Sequence, residues 1–122
     1  MSAIEAQKSV QELYAEREKR VADAIALKPT DRVPVQFFTA FFPARYTGIT
    51  CEAVFYDPEK WRWAARKTVV DMVPDTYWIQ GAAISALTLE TLGAQQIRWP
   101  GHGVPSDHSH QILELEPMKG ED

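Results

Sequence analysis

The chain has 122 residues, 45% of them hydrophobic and 25% charged, which fits one globular domain or part of one. A net charge of -4, with lysines and arginines scattered rather than in runs, disfavours nucleic acid as a partner. No apolar run approaches the ~20 residues needed to span a bilayer, and the first residues lack the basic-then-apolar order of a signal peptide. The single cysteine, Cys51, excludes an internal disulfide and suits a reducing cytoplasm.

Residues 8–28 predict an amphipathic helix. Val10, Leu13, Tyr14, Val21, Ala24 and Ile25 recur at three- and four-residue steps, a face expected to cover one end of a core. Glu12, Glu16, Glu18, Lys19 and Asp23 take the other face, with Glu16 placed to pair with Arg20. Lys28 precedes Pro29, which disfavours helical geometry and stops the helix. Thr30, Asp31 and Arg32 make a turn. Residues 33–38 then run nearly continuously apolar, as in a strand buried on both faces of a parallel sheet. Residues 39–56 are aromatic-rich but aperiodic and broken by Pro43 and Gly48. They read as a long functional loop that has room for a short helix.

Asp57-Pro58-Glu59 is a helix start, with a capping carboxylate, a proline where no N–H is needed and an anion at the positive end. Trp61, Ala64, Ala65, Thr68, Val69 and Met72 continue it as an apolar stripe, Trp63 lies on another face, and Pro74 ends it. Tyr77, Trp78 and Ile79 predict a short strand, followed by the small residues Gly81, Ala82 and Ala83. Ser85 caps a helix running to Leu92, with Gly93 as its left-handed C-terminal residue. Residues 96–99 predict a strand, 100–110 a Gly/Pro/His loop and 111–115 one more strand. The charged tail is expected to fray.

Alternating helices and buried strands argue an α/β fold with parallel pairing. Too few strands are present to close a (β/α)8 barrel, which typically takes ~250 residues. The chain is therefore expected to be the N-terminal part of something larger, residues 1–122 forming a single partial domain. In it the N-terminal helix spans 8–28, and the first strand–helix units with a strand and loop excursion span 32–122.

Two ordered motifs carry a resemblance. Arg20-x-x-x-Ala24-Ile25 leading into Asp31-Arg32-Val33-Pro34-Val35 resembles the opening of the uroporphyrinogen decarboxylase superfamily. Leu92-Gly93, then Ile97-x-Trp99-Pro100-Gly101-His102-Gly103-Val104-Pro105, is similar to the Leu-Gly, strand and Gly-x-Gly-Pro segment of the same superfamily. The resemblance implies a (β/α)8 TIM barrel with a helical N-terminal extension. It also implies one of two activities: cofactor-free decarboxylation of a tetrapyrrole's acetate side chains, or methyl transfer between a corrinoid and a thiol with zinc bound later in the barrel. The decarboxylases follow the first strand with Arg-Gln-Ala-Gly-Arg and end the second with an Asp. Here the first loop reads Thr39-Ala40-Phe41-Phe42-Pro43-Ala44-Arg45-Tyr46, where Arg45 and Tyr46 alone align, and Gln80-Gly81-Ala82-Ala83-Ile84 carries no carboxylate. A pyrrolic cation needs a nearby anion, so the one-carbon branch is the expectation.

The expected ligand is a tetrapyrrole or corrinoid, or a corrinoid protein. Zinc and a corrinoid are implied for the full-length protein and neither for this chain alone, which is expected to lack activity. Candidate substrate-binding residues are Arg45 for an anion, Tyr46 beside it, Phe38 among Phe37, Phe41 and Phe42 for a flat apolar ligand, and His102 within the Gly-x-Gly segment. His102, His108 and His110 lie near Asp107 but without a cysteine, a pattern of solvated loop histidines before a metal site. Cys51 reads as a buried, inert thiol. The alternatives are a porphyrin-pathway decarboxylase, a non-catalytic module that self-associates to cover its strand edges, and an unrelated compact α/β binding protein.

Overall fold

Ser9 opens the first helix of the computed structural model, which describes residues 8–78 and 85–115. Its hydroxyl accepts from the Glu12 N–H while its own N–H donates to the Glu12 carboxylate at 2.7 Å, a reciprocal capping box. Helix α1 runs Val10–Ile25 and ends ahead of Leu27, which turns left-handed at φ 55°. None of its residues is buried, and Val10, Tyr14 and Ile25 stand exposed. The expected docking of its apolar face is met only in part: Leu13, Val21 and Ala24 are half-buried, and Arg20 ties the C-terminal half to Asp31 and Asp75. The expected Glu16–Arg20 pair is also replaced. Glu16 meets Lys8 at 2.5 Å, and Arg20 turns to Asp31 and Asp75.

Strand β1, Gln36–Phe38, pairs in parallel with β2, Thr76–Trp78, with Phe37 opposite Tyr77. The strand is half the predicted length. Pro34 has no N–H to give a ladder, and Val33 and Val35 are exposed. It is not buried on both faces either: Gln36 and Phe38 are exposed and Phe37 is half-buried.

The segment read as a loop folds into two helices, α2, Phe42–Thr47, and α3, Cys51–Tyr56. Pro43 occupies the first turn of α2, Gly48 ends it at φ 78°, and the Thr50 hydroxyl caps α3 by accepting from the Ala53 N–H. Helix α4, Pro58–Met72, starts as its sequence predicts, with the Asp57 carboxylate accepting from the Lys60 N–H at 3.0 Å. Trp61, Ala64, Ala65 and Thr68 of its stripe are buried, whereas Met72 is exposed.

Ser85 caps α5, Ala86–Thr91, by accepting from the Thr88 N–H, and Gly93 follows at φ +75°. A second sheet has β3, Ile97–Pro100, at its centre. The dipeptide β4, Gly103–Val104, pairs with β3 in parallel, and β5, Gln111–Ile112, antiparallel. The all-parallel expectation therefore holds for β1–β2 and fails for β3–β5. Residues 100–110 are more than a loop, and the predicted strand at 111–115 shrinks to two residues. Predicted features at Ile79, at residues 81–83 and in the tail from residue 116 lie outside the described residues.

The core is Ala44, Val54, Phe55, Trp61, Ala86 and Trp99, flanked by Phe41, Ile49, Tyr56, Leu89 and Ile97. It sits among α2, α3, α4, α5 and β3, so the connection between the parallel strands carries most of it. Among the described residues the architecture is mixed α/β, with small sheets and no closed barrel.

Candidate functional site

The junction of α1, β1 and β2 is built on one carboxylate. Asp75 lies just before β2, and its side chain is fully buried. Arg32 donates to it through both terminal nitrogens, at 2.5 and 2.8 Å, the Val35 N–H donates at 2.8 Å, and Arg20 donates as well. Arg20 also forks onto Asp31 at 2.6 and 2.8 Å. Burial pushes the Asp75 carboxyl up, but the Val35 N–H, Arg32 and Arg20 outweigh it and hold the group below its ordinary range. The network fixes the N-terminal side of the parallel pair.

At that other end Phe38 and Trp78 meet edge to face at 5.9 Å, both more than half exposed. Thr39 follows, buried, with its hydroxyl unpartnered among the described residues, and Ala40 adopts φ 40°. Arg45, in the last turn of α2, donates to the Asp107 carbonyl at 3.1 Å. The neighbouring Tyr46 goes the opposite way. Its hydroxyl donates to Asp71 at 3.0 Å, its ring stacks on Phe42, and Lys67 lies over it. Asp71, aided by burial, raises the Tyr46 hydroxyl above its ordinary value.

Residues 105–110 pack on α2 and α3. The Glu52 N–H donates to the Ser106 carbonyl at 2.9 Å, and the Cys51 thiol to the Asp107 carbonyl at 3.4 Å. Burial pushes the Cys51 thiol up, against the pull of Arg45, so it is poorly disposed to act as a nucleophile. His110 is partly buried against Phe41, Phe55 and Trp99, and its Nδ1 has no partner among the described residues. His108 pairs with Asp107 at 2.7 Å. His102 is elsewhere, stacked on Tyr56 at 4.4 Å with its Nδ1 2.9 Å from Glu90. The three histidines therefore do not converge. Among the described residues no three His, Cys, Asp or Glu side chains are grouped to hold a metal ion.

The four candidate residues consequently fall at different places. Phe38 lies on the rim of the parallel pair, Arg45 against the loop of residues 105–110, Tyr46 against α4, and His102 against α3 and α5. Two groupings escaped the sequence reading, the Arg20–Arg32–Asp75 network and the Tyr56–Glu90–His102 cluster. Their hydrogen-bonded partners are as much as 55 and 34 residues apart, so no local period announces them. No helix is long and apolar enough to cross a membrane among the described residues. None of the family models, curated proteins or solved structures compared with the chain matches it.

Proposed function

We propose that this chain is the opening part of a uroporphyrinogen decarboxylase-like TIM barrel that acts in cytoplasmic one-carbon (methyl) transfer on a corrinoid or related tetrapyrrole. The observation that supports it most is the parallel β1–β2 pair, joined by a helical connection and locked at its entry by Arg20, Arg32 and Asp75. Arg20 and Arg32 lie in the motif that carries the resemblance, and Asp75 touches it in space through the Val35 N–H. In barrels of this class ligands sit at the C-terminal ends of the strands. Here that end presents the exposed Phe38–Trp78 pair, a surface suited to a flat macrocycle. The lack of a carboxylate in residues 80–84 favours methyl transfer over decarboxylation. Zinc, which the resemblance implies for the whole protein, has no ligand set among the described residues and is given no step here.

Hydroxocobalamin titrated into the full-length protein while tryptophan fluorescence is followed tests the reading. Saturable quenching is expected, weakened about tenfold in Phe38→Ala, the loss of one stacking side chain. Binding of uroporphyrin in preference to the corrinoid would move the protein to the decarboxylase branch. Binding of neither would sink both readings.

A further inference from the structure

Between helix α4 and strand β2 runs a groove of about 420 Å³, the scale of a small-molecule site. Its floor is apolar. Trp61 and Ala65 are buried in it, and Val69, Val70 and Tyr77 continue it, with Val70 65% and Tyr77 55% exposed. The polar groups along it share one character. Arg62 and Arg66 border it, and the buried Trp61 indole N–H has no acceptor among the described residues. Apart from the Tyr77 hydroxyl, every polar side-chain group on this lining only donates. No Asp or Glu lines the groove among the described residues, in a chain whose net charge is -4. The two arginines stand four residues apart on one helix face, where like charges repel. Glu59 answers Arg62 at 2.6 Å in an exposed pair, while Arg66 has no ion pair among the described residues.

We propose that this groove binds an amphiphilic monocarboxylate of the fatty-acid class. The acyl chain covers Val69, Val70 and Tyr77, and the carboxylate takes the forked donors of Arg66, with Arg62 adding charge beside it. An apolar floor selects the chain. A rim of donors without an acid selects an anionic acceptor over a neutral or cationic head. Neighbouring residues of a strand face opposite ways, so Tyr77 and the groove lie apart from the Phe38–Trp78 rim. The site needs nothing from the barrel reading and stands or falls separately from corrinoid binding.

Decanoate, decanol and decylammonium, each below its aggregation limit, are titrated into the chain while the assigned Trp61 indole N–H is followed by proton–nitrogen NMR. The expected result is a saturable shift with decanoate, with affinity about tenfold weaker for decanol and weaker still for decylammonium. Arg66→Gln should bring decanoate down to the affinity of decanol. Val70→Glu should abolish binding of both, and Phe38→Ala should leave both unchanged. Saturating decanoate should also dissociate any assembly of chains that forms through this groove. Equal binding of decanoate and decanol, an Arg66→Gln variant that titrates unchanged, or no shift with decanoate would each overturn the proposal. Self-association that is lost in Val70→Glu yet withstands saturating decanoate would assign the groove to a second copy of the chain, and the proposal would fall.

Discussion

Asp75 concentrates more structural consequence than any other single side chain described. A fully buried carboxylate is tolerable here because two guanidiniums and a backbone N–H satisfy it. Removing one partner of such a buried set typically costs about 3 kcal/mol or more, because the remaining charges lose their compensation. Asp75→Ala should therefore lower the urea-unfolding free energy by about 3 kcal/mol. The sign of the pH dependence follows from the direction of the shifts. Asp75 is held below its ordinary value, and Asp31 is lowered to about 2, chiefly by its hydrogen bonds to Arg20. Their contribution is complete above the unfolded value of about 3.9 and is lost as the pH falls through the folded values. Stability should drop between about pH 4 and pH 2, and the drop should be shallower in Asp75→Asn. A melting series over that range that is as steep in the variant as in the parent would remove Asp75 from this role. Val73 offers the opposite test. It ends α4 in left-handed geometry at φ 48°, which a β-branched residue adopts only at a cost. Val73→Gly should raise stability by about 0.5–1 kcal/mol, read from the same unfolding curves.

Among the elements, α1 and α4 were the most legible in the sequence and α2 and α3 the least, and the reason is length. Fifteen residues of α4 give a period, a capping Asp57 and a first-turn Pro58, each sufficient to place its start. Six-residue helices show no period, and their only signals are Pro43, Gly48 and Thr50, which also read as loop punctuation. The core went to these short helices because Phe41, Ala44, Val54 and Phe55 become contiguous only once both helices form. The same limit applies to the candidate site. Arg45 and Tyr46 are adjacent in sequence, yet helical geometry sends one to the Asp107 carbonyl and the other to Asp71. The Asp57 cap tests how far local signals set this architecture. Asp57→Ala should cost about 1 kcal/mol by loss of the bond to the Lys60 N–H, while Asp57→Asn should cost little. Equal losses for the two variants in thermal unfolding would mean that Asp57 acts through charge alone.

At the scale of the whole molecule, apolar surface stays exposed among the described residues. Val10, Tyr14 and Ile25 of the α1 stripe are exposed, Val33 and Val35 face solvent, and the β1–β2 sheet has no described neighbour on either edge. Between α4 and β2 lies a groove of about 420 Å³, lined by Pro58, Trp61, Ala65, Val69, Val70 and Tyr77, with Arg62 and Arg66 on its border. Trp61 is buried there, and its indole N–H has no partner among the described residues. Surfaces of this kind mark contacts with further chain or with another molecule. Two consequences can be measured on the chain by itself. An apolar fluorescent dye should bind the groove and lose most of its signal in Val70→Glu, which puts a charge on an already exposed position at little cost to folding. Sedimentation at increasing concentration should also show association beyond the monomer, reduced in the same variant. If the parent chain stays monomeric and leaves the dye dark, these faces are too small or too broken by Arg62 and Arg66 to recruit a partner. The barrel reading would then lose its main physical motive, because a first βαβ unit must present surface for the strands that follow it.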